Sequence, residues 1–345
     1  MSATTAPGGL PDELAPRRLL RRTLEVIALL GLLVLVALLA PGLGGVRQAL
    51  VDADLGWIVL AVALEFLSCV SYVVMFRPIF CRSMSWRTSW EISWTELGMG
   101  SIVPASGAGG LALGAWILAR RGMPAERIAR RSIAFFLIKS SVNFVAVAVI
   151  GTAMALGLIG PHEPLWLTAV PAALAVLVIV AVLLVPRFGP GADPPPDATR
   201  LRRWWTAGRR AIIGGTAEAV EILRTHDLLV FAGAIGYWAF DNAVLWATFH
   251  AVGAPQPIGL ILLGYLIGQL GGALPIPGGI GGIDGGLIGT LVVFGAPAAP
   301  AAAAVLLYRI ILFWLPLTGG AIAFASLRKT LFDVSRARSV PSYSG

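Results

Sequence analysis

Residues Leu274 to Thr290 read LPIPGGIGGIDGGLIGT, seventeen positions holding seven glycines, two prolines and one carboxylate, Asp284. No other formal charge lies between Asn242 and Tyr308. Glycine and proline at this density cannot make an ordinary lipid-facing helix, because they break the ladder and leave backbone N–H and C=O groups unpaired. In hydrocarbon such backbone is tolerated only where it is buried in protein or lines a polar cavity. The stretch therefore predicts a re-entrant hairpin over residues 257–295. Its tip, Pro275, Pro277, Gly278, Gly279, Gly281 and Gly282, is a candidate functional element.

Working outward, the rest of the chain supplies the membrane. Hydrophobic residues make up 57% and charged residues 13%, with a mean hydropathy of +0.83. Polytopic helical membrane proteins have such values and soluble domains do not. The net charge of +8 does not point to nucleic acid, since the 26 Lys and Arg sit mainly in a few segments between apolar runs. That is how a membrane protein marks its cytoplasmic side. Cys69 and Cys81 lie within or at the end of one apolar span and give no disulfide framework. The arginines at 17 to 22, an apolar run and then Pro41 read as an uncleaved signal anchor.

Taken in order, residues 1–22 form a disordered cytoplasmic N-terminus, and residues 23–186 a first membrane half with spans at 23–40, 56–80, 132–158 and 165–185. Between them, residues 88–119 are flanked on one side by Arg77, Arg82 and Arg87, and on the other by Arg120, Arg121, Arg127, Arg130 and Arg131. Both flanks therefore belong inside. The segment is too long for one helix, and at a rise of about 1.5 Å per residue each arm is too short for a core of about 30 Å. Its middle, GSIVPASGAGG, predicts a hairpin dipping in from the cytoplasm around Pro104, Gly107 and Gly110. Residues 187–227 read as a basic cytoplasmic loop with an interfacial helix, Trp205, Ile212, Ala219 and Leu223 being spaced helically against arginines. The second half, residues 228–327, holds spans at 228–251 and 301–327 around the outer hairpin, and residues 328–345 form a cytoplasmic tail. The expected fold is an all-α polytopic protein of the inner membrane, with six transmembrane helices, two re-entrant helical hairpins and both termini cytoplasmic.

The hairpins also match each other. Shifted by 171 positions, Gly100, Pro104, Gly107, Gly110, Gly114 and Ile117 fall on Gly271, Pro275, Gly278, Gly281, Gly285 and Ile288. Entry from opposite sides makes the halves an inverted-topology pair, an arrangement that commonly builds secondary transporters with the site where broken elements meet near the midplane.

Pro275-Ile-Pro-Gly-Gly-Ile-Gly, the acidic residue after it and Leu307-Tyr-Arg-Ile-Ile-Leu-Phe-Trp together resemble the flippase-like membrane region of lysylphosphatidylglycerol synthases and their stand-alone relatives. The signature covers Leu274 to Trp314, and the hydropathy pattern extends it over most of the chain. Members of that family usually carry Glu where Asp284 stands. Many also carry a charged Pro-Gly-Arg type segment where this chain has Pro104-Ala-Ser-Gly-Ala-Gly-Gly, a departure that bears on the substrate. The resemblance implies lipid translocation between leaflets, the cargo being an aminoacyl-lipid, a polyprenyl-phosphate carrier or a glycolipid. Aminoacyl-lipid synthesis resides in a separate soluble domain in that family. Here only eighteen residues follow the last expected span, so no enzyme activity is expected.

A charge at the bilayer centre costs about 2.5–3.5 kcal/mol on insertion scales, so a lipid translocator must offer compensating partners to a headgroup. The candidates for substrate binding or coupling are Asp284, Arg309, Glu96, Lys139, Asp241 and Asn242, with Glu65 of lesser weight. Arg309 either binds a phosphate with its planar fork or forms a permanent ion pair with Asp284. Asp284 is a counter-charge, a protonatable coupling group or a cap for the hairpin's second arm. Lys139 binds a headgroup or snorkels to the cytoplasmic side. Glu96 pairs with Lys139 or carries a proton. Asp241 and Asn242, adjacent in mid-span, face protein or a cavity. The hairpin glycines leave amides free for a phosphate or permit a close-packed crossing.

The leading function is a flippase for an anionic or aminoacylated phospholipid or a polyprenyl-phosphate-linked lipid. The alternative is a non-transporting scaffold of a cell-envelope lipid synthesis complex. A lipid-modifying enzyme needs a nucleophile with its base or a metal cluster, and His162, His226 and His250 lie at or near span ends without a HExxH pair. No GxxxxGK[ST] motif is present, so movement runs downhill, is pulled by consumption, or is coupled to protons or potential. No cofactor or metal is expected. The partners are membrane lipids, with a lipid-synthesis enzyme or a second copy of the chain as the protein partner.

Overall fold

The computed structural model describes residues 43–102, 108–158, 165–189, 191, 199–268 and 282–338, with positions 21, 24, 25, 27, 28 and 31 of the preceding segment. Every regular element among them is helical. In order these are α1 (Gly44–Val51), α2 (Leu55–Phe80), α3 (Trp86–Ile102), α4 (Ala108–Arg120), α5 (Ala125–Ala155) and α6 (Leu165–Leu184), which runs into a 3-10 turn (Val185–Phe188). Then come α7 (Arg200–Arg224), α8 (Leu228–Ala251), α9 (Ile258–Gly268), α10 (Gly282–Val293) and α11 (Ala298–Arg338). Among the described residues five stretches are long and apolar enough to cross a membrane: α2, α5, α6 with its 3-10 turn, α8 and α11. The sixth expected span, 23–40, falls largely outside the described residues, as do positions 103–107 and 269–281, where the sequence predicts the hairpin tips.

α2 and α8 form the central antiparallel pair. Asp54 caps α2 by accepting from the amides of Gly56 (2.7 Å) and Trp57 (3.3 Å), while its own amide donates to Ala251 O at the end of α8 (2.8 Å). At the other end Asp227 caps α8 through the Leu229 amide (3.0 Å) and pairs with Arg82 just past α2. Small residues let the two backbones touch: a Cβ on Gly233 would sit 2.6 Å from Met75 N and 2.7 Å from Ser71 O. Backbone cannot step aside as a side-chain tip can, so Gly233→Ala is expected to cost about 1–3 kcal/mol. A lowered thermal midpoint of the detergent-purified protein checks this, and an unchanged midpoint refutes it.

α3 and α11 also run antiparallel, Glu91 accepting from Ser326 (2.9 Å) and Gly98 lying against Gly320. The shorter helices pack in two pairs. α3 lies against α4, and α9 lies against α10, with Gly268 on Leu287 and Gly264 on Leu291. By the same rise of about 1.5 Å per residue, α4, α9 and α10 are each about 20 Å or less in length, short of a bilayer core.

Arginines gather at one end of the bundle. Arg121 donates to Thr88 (3.3 Å), which brings the outer ends of α3 and α4 together, and Arg131 reaches both Ile79 O and Glu218. α9 and α10, by chain connection to the far end of α8 and the start of α11, open at the opposite end.

Three sequence expectations change. α5 starts at Ala125 rather than 132, because Pro124 and Glu126 begin a helix that carries the arginines into its first turns. α11 continues past the expected span end at 327 to Arg338, so the first part of the stretch read as a tail is helical. In α7, Trp205 and Ile212 are exposed whereas Ala219 is buried, so these residues divide between an exposed apolar face and the bundle. Gly214 and Gly215 admit Arg130 and Ile133 of α5, and the second half of α7 docks onto the bundle.

Candidate functional site

Within the bundle, polar side chains of seven helices converge. At the centre is Asp241, mid-way along α8. Its carboxylate accepts from the hydroxyl of Tyr308 on α11 (2.9 Å) and from that of Tyr265 on α9. The residue after Tyr308, Arg309, pairs with Asp284 in the first turn of α10; the Asp284 side chain is buried, 6% exposed, and that of Arg309 half-buried, 14% exposed. Placed there, Asp284 also has the favourable position for a carboxylate at a helix N-terminus. Arg309 further acts on Asp241 electrostatically.

On the other side of Asp241, Lys139 of α5 carries its ammonium over the rings of Tyr237 on α8 (5.4 Å) and Tyr72 on α2 (5.8 Å). This is a cation–π seat, and Lys139 does not snorkel to the bundle end as one expectation had it. Tyr72 in turn donates to Glu96 of α3 (2.8 Å). Gly114 of α4 makes room for that carboxylate: a Cβ there would lie 1.5 Å from Glu96 Oε1. Lys139 interacts electrostatically with both Glu96 and Asp241. The result is one polar chain: Glu96, Tyr72, Lys139, Tyr237, Asp241, Tyr308, Arg309 and Asp284. It starts in the first short-helix pair and ends in the second.

Of the residues singled out in the sequence, Glu96, Lys139, Asp241, Arg309 and Asp284 thus come together. Asn242 points elsewhere, its amide donating to Trp238 O (2.8 Å) while its buried Oδ1 has no hydrogen-bond partner among the described residues. Pro104, Gly107, Pro275, Pro277, Gly278, Gly279 and Gly281 lie outside the described residues; Gly110 and Gly282 sit in the first turns of α4 and α10. The tyrosines went unnoticed, although a signal existed. The chain has five, and four of them, Tyr72, Tyr237, Tyr265 and Tyr308, stand in apolar helices. Burying a hydroxyl there is costly without a partner.

The sequence profile of the lysylphosphatidylglycerol synthase TM region matches residues 25–320, a range that contains every residue of this polar chain. The chain belongs to this family. Two curated relatives, both called UPF0104 membrane protein and both from Methanothermobacter thermautotrophicus, are similar to it. One is 30% identical over 132 residues, which is 38% of this chain and 39% of the relative. The other match is 22% identical over 313 residues, 85% of this chain and 91% of the relative. In the lysylphosphatidylglycerol synthase TM family match, residues 25–320, Glu96, Lys139, Asp241, Asp284 and Arg309 are thus interior charges of the membrane region.

Proposed function

We propose that this member of the lysylphosphatidylglycerol synthase TM family moves lipid between the leaflets of the cytoplasmic membrane, and that the headgroup is bound where the two short-helix pairs meet. The observation that carries the reading is the buried polar chain that links those pairs through Lys139, Asp241 and Arg309. A scaffold has no need of cations at that depth, whereas a phosphate crossing an apolar core needs them. Arg309 offers a planar fork and Lys139 a point charge. On this reading α3–α4 enters from the arginine-rich, cytoplasmic side and α9–α10 from the outer side, as an inverted repeat of re-entrant hairpins. The cargo class is an anionic or aminoacylated phospholipid or a polyprenyl-phosphate lipid.

The test is reconstitution in liposomes with three headgroup-labelled probes: phosphatidylglycerol, its aminoacyl derivative and a polyprenyl phosphate. Protein-dependent movement of one probe, lost in the double variant Asp284→Asn with Arg309→Gln, is the expected result. No movement of any probe, with or without an imposed potential, would overturn the proposal in favour of a scaffold.

A further inference from the structure

Glu65, a lesser candidate in the sequence, is not a member of the polar chain that binds the headgroup on the reading above. It lies near the middle of α2, is 5% exposed, and is poorly provided for as an anion. Its Oε1 accepts only from the thiol of Cys69 one turn along (3.6 Å), a weak donor, and its Oε2 has no hydrogen-bond partner among the described residues. Ser68 Oγ donates to Tyr237 O across the antiparallel α2–α8 contact (3.1 Å), a register that brings Glu65 level with Asp241, and the two carboxyl groups interact electrostatically. Asp241, by contrast, has two tyrosine hydroxyls and the fields of Arg309 and Lys139. One carboxyl is thus furnished for a negative charge while its neighbour is not.

The groups around this pair are Cys69 on α2, Tyr237 on α8, Tyr265 on α9, Tyr308 and Arg309 on α11, and Lys139 on α5. Two more carboxyls stand at the ends of the chain: Glu96 beside Lys139 and Asp284 beside Arg309. Four carboxyl groups therefore share two cations. An anion that binds Arg309 competes with Asp284 and Asp241 for the guanidinium and leaves surplus negative charge in an apolar interior. One proton added to a carboxyl oxygen of Glu65 or Asp241 offsets the charge that a bound monoanion brings.

We propose that Glu65 and Asp241 form a proton-binding site whose occupancy is tied to that of Arg309, so that an anionic headgroup and a proton are taken up together. This rests on the translocation reading and supplies its energy source, a symport of lipid anion and proton. The proton adds to a carboxylate, is carried as a carboxylic acid and leaves again; no bond other than O–H is made or broken.

The experiment uses the full chain in liposomes with a trapped pH-sensitive dye and the three labelled probes named above. An imposed pH gradient should accelerate movement of the transported probe from the acidic side, with a matching dye response. In Glu65→Gln both the acceleration and the dye response should be lost while downhill movement persists. If the wild type moves a probe at the same rate with and without the gradient and without a dye response, coupling is overturned and translocation stands. If the wild type moves no probe, both fall. Should Glu65→Gln fail to run as a single species on size exclusion, the gradient measurement on the wild type decides alone.

Discussion

Arg309→Ala is expected to yield little folded protein, whereas the double variant Asp284→Asn with Arg309→Gln should fold nearly as the wild type does and yet move no lipid. The single change leaves the Asp284 carboxylate buried, 6% exposed, without the guanidinium that holds it. Removing one partner of a buried pair costs about 3–5 kcal/mol, most of it the desolvation of the charge left behind. A membrane domain has only a few kcal/mol of net stability to lose. The double change removes both charges, keeps two amides of similar shape, and so removes the penalty along with the attraction. The thermal midpoint in detergent and probe movement in liposomes should therefore separate: midpoint restored, movement absent. Movement restored with the midpoint would show the pair to be structural only.

Gly320→Leu is expected to be the most damaging apolar substitution in the bundle. A Cβ at Gly320 would already lie 2.6 Å from Trp94 O and 2.8 Å from the Cα of Gly98, both backbone atoms of α3. Gly98 is equally constrained, with its own Cβ position 2.9 Å from Pro316 O. Four added carbons have nowhere to go unless α3 leaves α11, and the cost exceeds the usual 1–3 kcal/mol of overpacking. Since α3 carries Glu96, the polar chain would lose its first member with the helix. Size exclusion of the purified variant tests this: a monodisperse, heat-stable Gly320→Leu protein would contradict the close crossing.

Hydropathy and punctuation made the long helices legible. The ends of α2 and α8 fall where Asp54, Arg82 and Asp227 mark them, because capping and charge are local properties of sequence. α5 and α11 ran past their expected limits for the opposite reason: arginines end an apolar window without ending a helix. Partner choice in the interior was less legible. Periodicity says that Lys139 is inside a span but not that two tyrosine rings receive it, since which rings face it depends on how α2, α5 and α8 rotate about their axes. That rotation is set by non-local contacts such as Gly233 on Met75. The convergence of Glu96 and Asp284 on opposite ends of one polar chain likewise depends on packing between residues far apart in sequence.

α11 has one more consequence. Its forty-one residues make a rod about 60 Å long, roughly twice a bilayer core, and Pro316 stands inside it. Proline removes one rung of the ladder and makes that point a joint. The joint lies between Arg309, which holds the buried ion pair, and the basic stretch that ends at Arg338. Past the joint the helix is held to α3 by the Gly98–Gly320 crossing and the Ser326–Glu91 hydrogen bond, so one helix ties Arg309 and the basic far arm to the element that carries Glu96.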